Sequence, residues 1–405
     1  MKIITYYLSM VILFIGLSGC GGNNTASGVA HDNVKVVDVS SIITHEHIVH
    51  SGSLDRYEVV YKKDTVKSML VTSAVTQKAS DIKVDDIIVH GIGVKTPNGS
   101  LMKVIGVTEY TDQIVVIGEQ ATLVDLFKDL NLNMTKRLAP PGNPNSIVFA
   151  QGVTDGKVVA TGSVVSASGN TLNFSENISK TITEGGSSAT ITGNVKFNLD
   201  INLNANINSH WEFWEDTINM SFTATPDLTY ELSAVMTGTF SQKKKVEIAS
   251  YTLDAFDVQV GPVPVVFVPH VVVNLIISES ISVEVSTSYS VEHKRSYTLA
   301  YSNSNWSHTT GDAVNTHNFT APTLSGSENF NAGTNIELVL DVYDVAGPSV
   351  GINPFIELSA DSSIWDFYMG IAADIGFALD VFGDDISNPT IDIPIEKSKL
   401  ASGTF

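Results

Sequence analysis

Residues 195–210 read VKFNLDINLNANINSH, and apolar side chains alternate with polar ones along the whole stretch. Successive side chains of a β-strand point to opposite faces, so a strict period of two puts one face on a core and the other in water. The run is much longer than an ordinary strand of about five or six residues. It therefore predicts an extended antiparallel sheet. Its apolar face would consist of Val195, Phe197, Leu199, Ile201, Leu203, Ala205 and Ile207.

Similar patterns continue towards the carboxyl end, in ISVEVSTSYSVEH at residues 281–293 and NIELVLDVYDV at residues 335–345. Residues 260–278, VGPVPVVFVPHVVVNLIIS, are almost uniformly apolar, but their three prolines would break a helix. Two buried or edge strands are expected there instead of a membrane-spanning helix. Together these segments predict a large antiparallel domain of β-sandwich type over residues 146–400.

The preceding part of the chain predicts a second, smaller domain. Residues 34–137 contain short β-branched runs separated by turns, which is typical of a small β-domain. One short helix is expected in ATLVDLFKDL, residues 121–130, with Thr122 and Asp125 capping its first turn. The apolar face of that helix would consist of Leu123, Leu126, Phe127 and Leu130. LAPPGNPN, residues 138–145, predicts a linker, and the fold class is all-β.

The amino terminus has the layout of a secretory leader. It reads MKIITYYLSMVILFIGLSGC, with a positive residue at Lys2 and an apolar run that is too short to span a bilayer. LSGC, residues 17–20, resembles the lipobox of bacterial lipoproteins, which implies cleavage after residue 19 and acylation of Cys20. The alternative is an ordinary signal peptide with a chance cysteine. Several acyl chains anchor a protein stably where one would not.

The lipobox resemblance also implies a location. Residues 20–33 are small and polar and predict a flexible tether behind the anchor. Gly21 and Gly22 stand where an inner-membrane retention signal would carry aspartate, so the outer membrane is the expected destination. Cys20 is the single cysteine, so after acylation no thiol is left for a disulfide or a metal site.

The charge of the chain limits its partners. There are 23 Lys and Arg against 43 Asp and Glu, for a formal net charge of −20. Phosphate groups would be repelled, so nucleic acid is not expected as a partner. The lipid, and not a basic patch, would hold the protein at the membrane.

Two clusters are candidate sites. ITHEHIVHSGS, residues 43–53, contains His45, His47 and His50, and on a strand the first two would reach one zinc ion. The alternative is a polar strand edge whose histidines face solvent. HWEFWED, residues 210–216, contains Trp211, Phe213 and Trp214, which would form a surface for sugar rings or protein partners. The alternative is an aromatic cap on the core.

Four further segments carry a second resemblance. They are GPVPVVFVPHVVV at residues 261–273, YTLAYSNSNWS at 297–307, APTLSGS at 321–327 and VYDVAGPSVGINPFIELSAD at 342–361. This part resembles an uncharacterised β-rich domain of secreted and surface proteins of bacteria. The resemblance implies an all-β fold outside the cytoplasm and carries over no catalytic residue.

The sequence thus predicts a lipid-anchored protein of the cell envelope with a binding or structural role, such as adhesion or envelope assembly. Envelope proteins and glycans are the expected partners, and no cofactor beyond the covalent lipid is expected. No G-x-S-x-G elbow, phosphate-binding loop or dinucleotide fingerprint is present. The alternative is a metal-dependent envelope hydrolase built on His45, His47 and His50.

Overall fold

The structure is a computed structural model. It describes residues 24–48, 56–63, 67–70, 76–78, 81–138, 147–149, 171–184, 187–211, 217–239, 244–278, 285–303, 305–324, 330–360, 364–377 and 390–404. These ranges contain 25 β-strands, a one-turn α-helix, α1 (Leu123–Leu126), and a 3-10 turn, Val39–Ser41. The chain is therefore all-β, as its sequence predicts.

The first ten strands precede the expected linker. They are β1 (Thr25–Ala30), β2 (Val34–Val37), β3 (Ile42–Ile48), β4 (Arg56–Lys62), β5 (Lys67–Leu70), β6 (Thr76–Lys78), β7 (Ile87–His90), β8 (Ser100–Glu109), β9 (Gln113–Gln120) and β10 (Phe127–Arg137).

The other fifteen follow it. They are β11 (Ile147–Phe149), β12 (Thr171–Glu184), β13 (Ser187–His210), β14 (Thr217–Thr239), β15 (Lys244–Thr252), β16 (Phe256–Val260), β17 (Val263–Ser278), β18 (Val285–Lys294), β19 (Tyr297–Ser302), β20 (Asn305–Thr310), β21 (Val314–Leu324), β22 (Phe330–Val342), β23 (Pro348–Ala360), β24 (Ile364–Phe377) and β25 (Thr390–Thr404).

These strands form three sheets within the described residues. The amino-terminal sheet has the order β3-β4-β9-β8-β7-β2-β5-β6. The wide sheet has the order β1-β10-β13-β14-β18-β21, with β12 beside β13, β19 beside β14 and β20 beside β19. The second sheet has the order β11-β15-β17-β22-β23-β24-β25, with β16 beside β17. Strands β2 and β7 pair in parallel, and the other described pairs are antiparallel.

Strand β13 confirms the prediction made from residues 195–210. Its seven apolar side chains are at most 7% exposed, from Val195 at 0% to Ile207 at 7%, whereas Asn202, Asn204 and Asn206 are exposed. Strand β13 pairs with β14 over residues 188–210 without a register shift. The dry face of this pair is part of the main core.

The wide sheet and the second sheet pack face to face, which gives the sandwich-like arrangement. Apolar side chains of both sheets belong to one continuous core cluster. Aromatic pairs cross the gap between the sheets: the ring centroids of Trp306 and Phe377 are 5.6 Å apart, and those of Phe319 and Phe367 are 6.1 Å apart. Burial of apolar area at this interface drives the association of the two sheets.

The predicted helix is corrected in length. It begins at the expected cap, where Thr122 and Asp125 form a capping box, but it ends after one turn at Leu126. Phe127 begins β10, in which Leu130, Leu132 and Met134 are buried with a period of two. In the strand these residues pair with β13 and bury their apolar face, so tertiary context overrides the helical pattern.

Part of the expected tether is also a strand. Residues 25–30 form β1 at the edge of the wide sheet, where Thr25 lies opposite Asn133 and Gly28 opposite Leu130. A strand can pair through backbone hydrogen bonds without apolar side chains. The small, polar residues of this segment therefore do not show the alternation that predicts a strand. A Cβ atom on Gly28 would lie 2.7 Å from the carbonyl oxygen of Asp129, which explains the glycine at this close approach. Residues 139–146, which contain most of the predicted linker, lie outside the described residues.

The expectation of two strands at residues 260–278 is corrected, because after a turn this stretch forms one long strand. Gly261 has a φ of +62° in the turn between β16 and β17. Strand β17 then continues from Val263 to Ser278 through Pro264 and Pro269. Helical segments in the described residues are too short to cross a bilayer.

We expect Leu203→Ala to lower the free energy of unfolding by about 2–5 kcal/mol, because Leu203 is fully buried and its removal leaves a cavity. The matched change on the wet face of β13, Asn206→Ala, should alter it by less than about 0.5 kcal/mol. Urea unfolding of both variants measures the difference. Equal losses in the two variants would contradict the assignment of dry and wet faces.

Candidate functional sites

The structure places one of the three predicted zinc ligands. His45 lies on β3, and its ring packs against those of Tyr57 and His90, with centroids 5.7 Å and 5.8 Å away. Glu46 is exposed on the opposite face of the strand. The side chain of His47 and the whole of His50 lie outside the described residues. A zinc site formed by all three histidines therefore stays a prediction.

His90 forms a buried polar group beside His45. Its Nε2 atom lies 2.8 Å from the Tyr61 hydroxyl, and its Nδ1 atom lies 2.5 Å from Ser100 Oγ. Burial lowers the pKa of His90 to about 3, and the nearby charge of His45 adds to this effect. The imidazole is therefore neutral at physiological pH and part of the core of the amino-terminal sheet.

This low pKa predicts a pH dependence of stability. The unfolded state binds a proton at the ordinary pKa of about 6.5, and the folded state does so only near 3, so stability falls as the pH drops below about 6.5. His90 alone would contribute a loss of about 1.4 kcal/mol for each pH unit. Urea unfolding at pH 7.5 and 5.5 should show a shallower loss in His90→Gln than in wild type. A parallel loss in the two proteins would contradict the prediction, and the exposed His308→Gln is the control.

A second cluster of ionisable side chains lies where the amino-terminal and second sheets meet. His270 is on β17 opposite Val339, and Asp341 near the end of β22 is its diagonal neighbour. Asp344 follows in the turn after β22, with a φ of +64°. His270 Nε2 lies 2.9 Å from Asp344 Oδ1 and 3.4 Å from Asp341 Oδ2.

Two further side chains contact this group. Thr252 Oγ1 on β15 lies 3.2 Å from His270 Nδ1. Asn98, in the loop between β7 and β8, donates through Nδ2 to Asp344 Oδ2 at 3.0 Å. That loop lies close to β17. A Cβ atom added to Gly99 in the loop would lie only 2.7 Å from a methyl carbon of Val266.

The electrostatics of the group follow from its partial burial. Burial raises the pKa of Asp341 to about 6, and the charge of His270 opposes that rise. For His270, burial favours the neutral form, but the hydrogen bond to Asp344 and the charges of both carboxylates outweigh it and raise the pKa. In this cluster one histidine therefore faces two carboxyl groups.

A third feature is an open cleft of about 520 Å³ between the amino-terminal and wide sheets. Its polar lining is provided by His31, Asn33, Asp85, Lys103 and Asp125. Within the part of the chain that the structure describes, no oppositely charged group lies within ion-pair distance of Lys103 or of the Asp85 carboxylate.

The apolar lining of the cleft includes one of the predicted aromatic residues. Ile87, Val124 and Trp211 form it. Trp211 is only 7% exposed and belongs to the main core, so it does not offer an open stacking face. Phe213 and Trp214 lie outside the described residues. Of the predicted aromatic cluster, the described part of the chain therefore places only Trp211, in the wall of the cleft.

Sequence reasoning missed both the cleft and the group around His270. Asp341 and Asp344 are three residues apart in a segment that predicts a strand, and His270 lies about 70 residues earlier, within an apolar run. The register of β17 with β22 brings the three side chains together, and the spacing of residues along the sequence does not reveal that register.

Comparisons with protein-family models, with curated proteins and with solved structures found no match. The resemblances to lipoproteins and to a β-rich surface domain therefore stay predictions from the sequence.

Proposed function

We propose that this protein is a lipid-anchored component of the bacterial cell envelope whose folded body binds a ligand from its surroundings. The observation that carries the proposal is the cleft lined by Lys103, Asp85 and Trp211, in which charged groups without described ion partners stand beside apolar side chains. Ligand sites in proteins combine such an apolar lining with a few polar groups that fix orientation.

The chemistry of the cleft favours a polyhydroxylated ligand, and a glycan is the proposed class. A sugar presents hydroxyl groups that both donate and accept hydrogen bonds, together with apolar C–H faces. Lys103 would donate to such hydroxyls and Asp85 would accept from them, while Ile87 and Val124 would contact the C–H faces. The negative charge of the whole chain disfavours polyanionic ligands such as nucleic acid.

The anchor belongs to the same proposal. Leu17, Ser18 and Gly19 before Cys20 support acylation there, and the absence of aspartate after Cys20 supports the outer membrane. A lipid anchor together with an open cleft supports a binding or structural role. Residues 1–23 lie outside the described residues, so this part of the proposal depends on the sequence.

We expect the full-length protein, extracted in mild detergent, to bind members of an oligosaccharide array. Lys103→Met and Asp85→Asn should each weaken binding about tenfold, which corresponds to about 1.4 kcal/mol. Lys95→Met, which removes an exposed lysine away from the cleft, should leave binding unchanged. Failure of the wild type to bind any glycan, or equal binding by all variants, would disprove the assigned ligand class.

Growth with an alkynyl fatty acid should label the wild-type protein, and Cys20→Ser should abolish the label because no acceptor thiol remains. Restoring a thiol at an exposed position by adding Ser27→Cys to that variant should not restore the label. Label that persists in Cys20→Ser would show that the anchor is elsewhere. This measurement tests the anchor independently of glycan binding.

A further inference from the structure

We propose that His270, Asp341 and Asp344 bind a divalent transition-metal ion of the Zn²⁺ class at the junction of the amino-terminal and second sheets. One atom from each side chain is available, and the three ligand atoms lie within 4.8 Å of one another. This site is separate from the His45 cluster predicted from the sequence and from the cleft. It requires no catalytic role.

The two distances that His270 makes to the carboxylates suit tetrahedral coordination. Zn²⁺ binds imidazole nitrogen and carboxylate oxygen at about 2.0–2.1 Å, which places neighbouring ligand atoms of a tetrahedron about 3.3 Å apart. His270 Nε2 is 2.9 Å from Asp344 Oδ1 and 3.4 Å from Asp341 Oδ2, on either side of that value. The two carboxylate oxygens lie within 4.8 Å of each other, so a cation that replaces the proton between these groups would draw the two carboxylates together.

The surrounding contacts are those that orient metal ligands. A ligating histidine usually places its other ring nitrogen against a hydrogen-bond partner, and a ligating carboxylate is itself hydrogen-bonded. Thr252 Oγ1 lies beside His270 Nδ1, which directs the lone pair of Nε2 towards the two carboxylates. Asn98 donates to Asp344 Oδ2, and the other oxygen, Oδ1, faces His270 and is the atom that would bind the metal.

The donor set selects the class of cation. Ca²⁺ and Mg²⁺ prefer oxygen ligands alone, whereas imidazole nitrogen suits Zn²⁺ and its neighbours among the transition metals. Three protein ligands leave a fourth position, and the Asp344 side chain is 44% exposed, so water would reach it. Two carboxylates neutralise a divalent charge while His270 is neutral.

Bound metal would also connect two parts of the chain. His270, Asp341 and Asp344 belong to the second sheet and the turn that follows β22, whereas Asn98 belongs to the loop between β7 and β8. A cation bound to Asp344 would immobilise the carboxylate that accepts the hydrogen bond from Asn98. This would stabilise the packing of the loop that carries Asn98 against β17. Thermal stability should therefore rise with Zn²⁺ concentration.

The test is competitive titration of the detergent-extracted full chain with Zn²⁺, after removal of metal by EDTA. His270→Gln should weaken the tightest Zn²⁺ site about a hundredfold, and Asn98→Ala should weaken it about tenfold, as expected for an outer-shell partner. The matched controls are His308→Gln and Asp312→Asn, two exposed positions outside the cluster. They should leave the affinity unchanged.

Unchanged Zn²⁺ affinity in His270→Gln, or no Zn²⁺ binding by the wild type, would overturn the proposal in favour of a simple ion pair between His270 and the two carboxylates. If His270→Gln does not fold, Co²⁺ added to the wild-type protein gives a second readout. Intense visible absorption bands that Zn²⁺ removes, and that need about tenfold more Co²⁺ to saturate in Asn98→Ala, support a tetrahedral site with this environment. Weak octahedral bands, or the same Co²⁺ titration midpoint in Asn98→Ala as in wild type, would overturn it.

Discussion

The pairing of β13 with β14 is the constraint on which the rest of the fold depends. The two strands pair along residues 188–210 without a bulge, and β10, β12, β18 and β19 are added along their outer edges. A slip of one residue would move every side chain of β13 to the other face and put asparagines into the core. Because that cost is summed over seven buried positions, the register is strongly specified. The second sheet then packs on the dry face that this register creates.

Patterns with a local cause could be predicted from the sequence, and those with a distant cause could not. The alternation in β13 and the cap at Thr122 are local, and both are confirmed. The number of strands at residues 260–278 was predicted wrongly because a proline excludes only a hydrogen bond on its own N–H side and need not end a strand. Pro226 lies where the ladders of β18 and β19 leave a gap, and Pro269 lies between those of β15 and β16. Such gaps are properties of the neighbouring strands, which the sequence around a proline does not reveal.

The candidate sites also differ in whether their residues are close together in the sequence or come together only in the fold. His45, His47 and His50 could be recognised as a cluster from the sequence because they are neighbours in the chain. The group around His270 joins residues from β15, β17, the turn after β22 and the loop before β8. Histidine and aspartate recur throughout an acidic chain, so only the assembled sheets distinguish this combination. The cleft likewise depends on the packing of two sheets around Trp211.

The geometry of the His270 group depends in turn on a polar ladder on the same face of the second sheet. Asn274 donates to Asn335 at 3.0 Å, Asn335 to Asn353 at 2.6 Å and Asn353 to Asp374 at 2.8 Å, across four strands. Asn274 and Asn335 are nearly fully buried, so an unpaired amide there would cost about 1–3 kcal/mol. A shift of β22 along β17 would break the bond between these two asparagines and also separate Asp341 from His270. The ladder therefore destabilises the strand registers in which the proposed metal ligands would be apart. The same hydrogen bonds that stabilise the sheet thus position His270 and Asp341 next to each other.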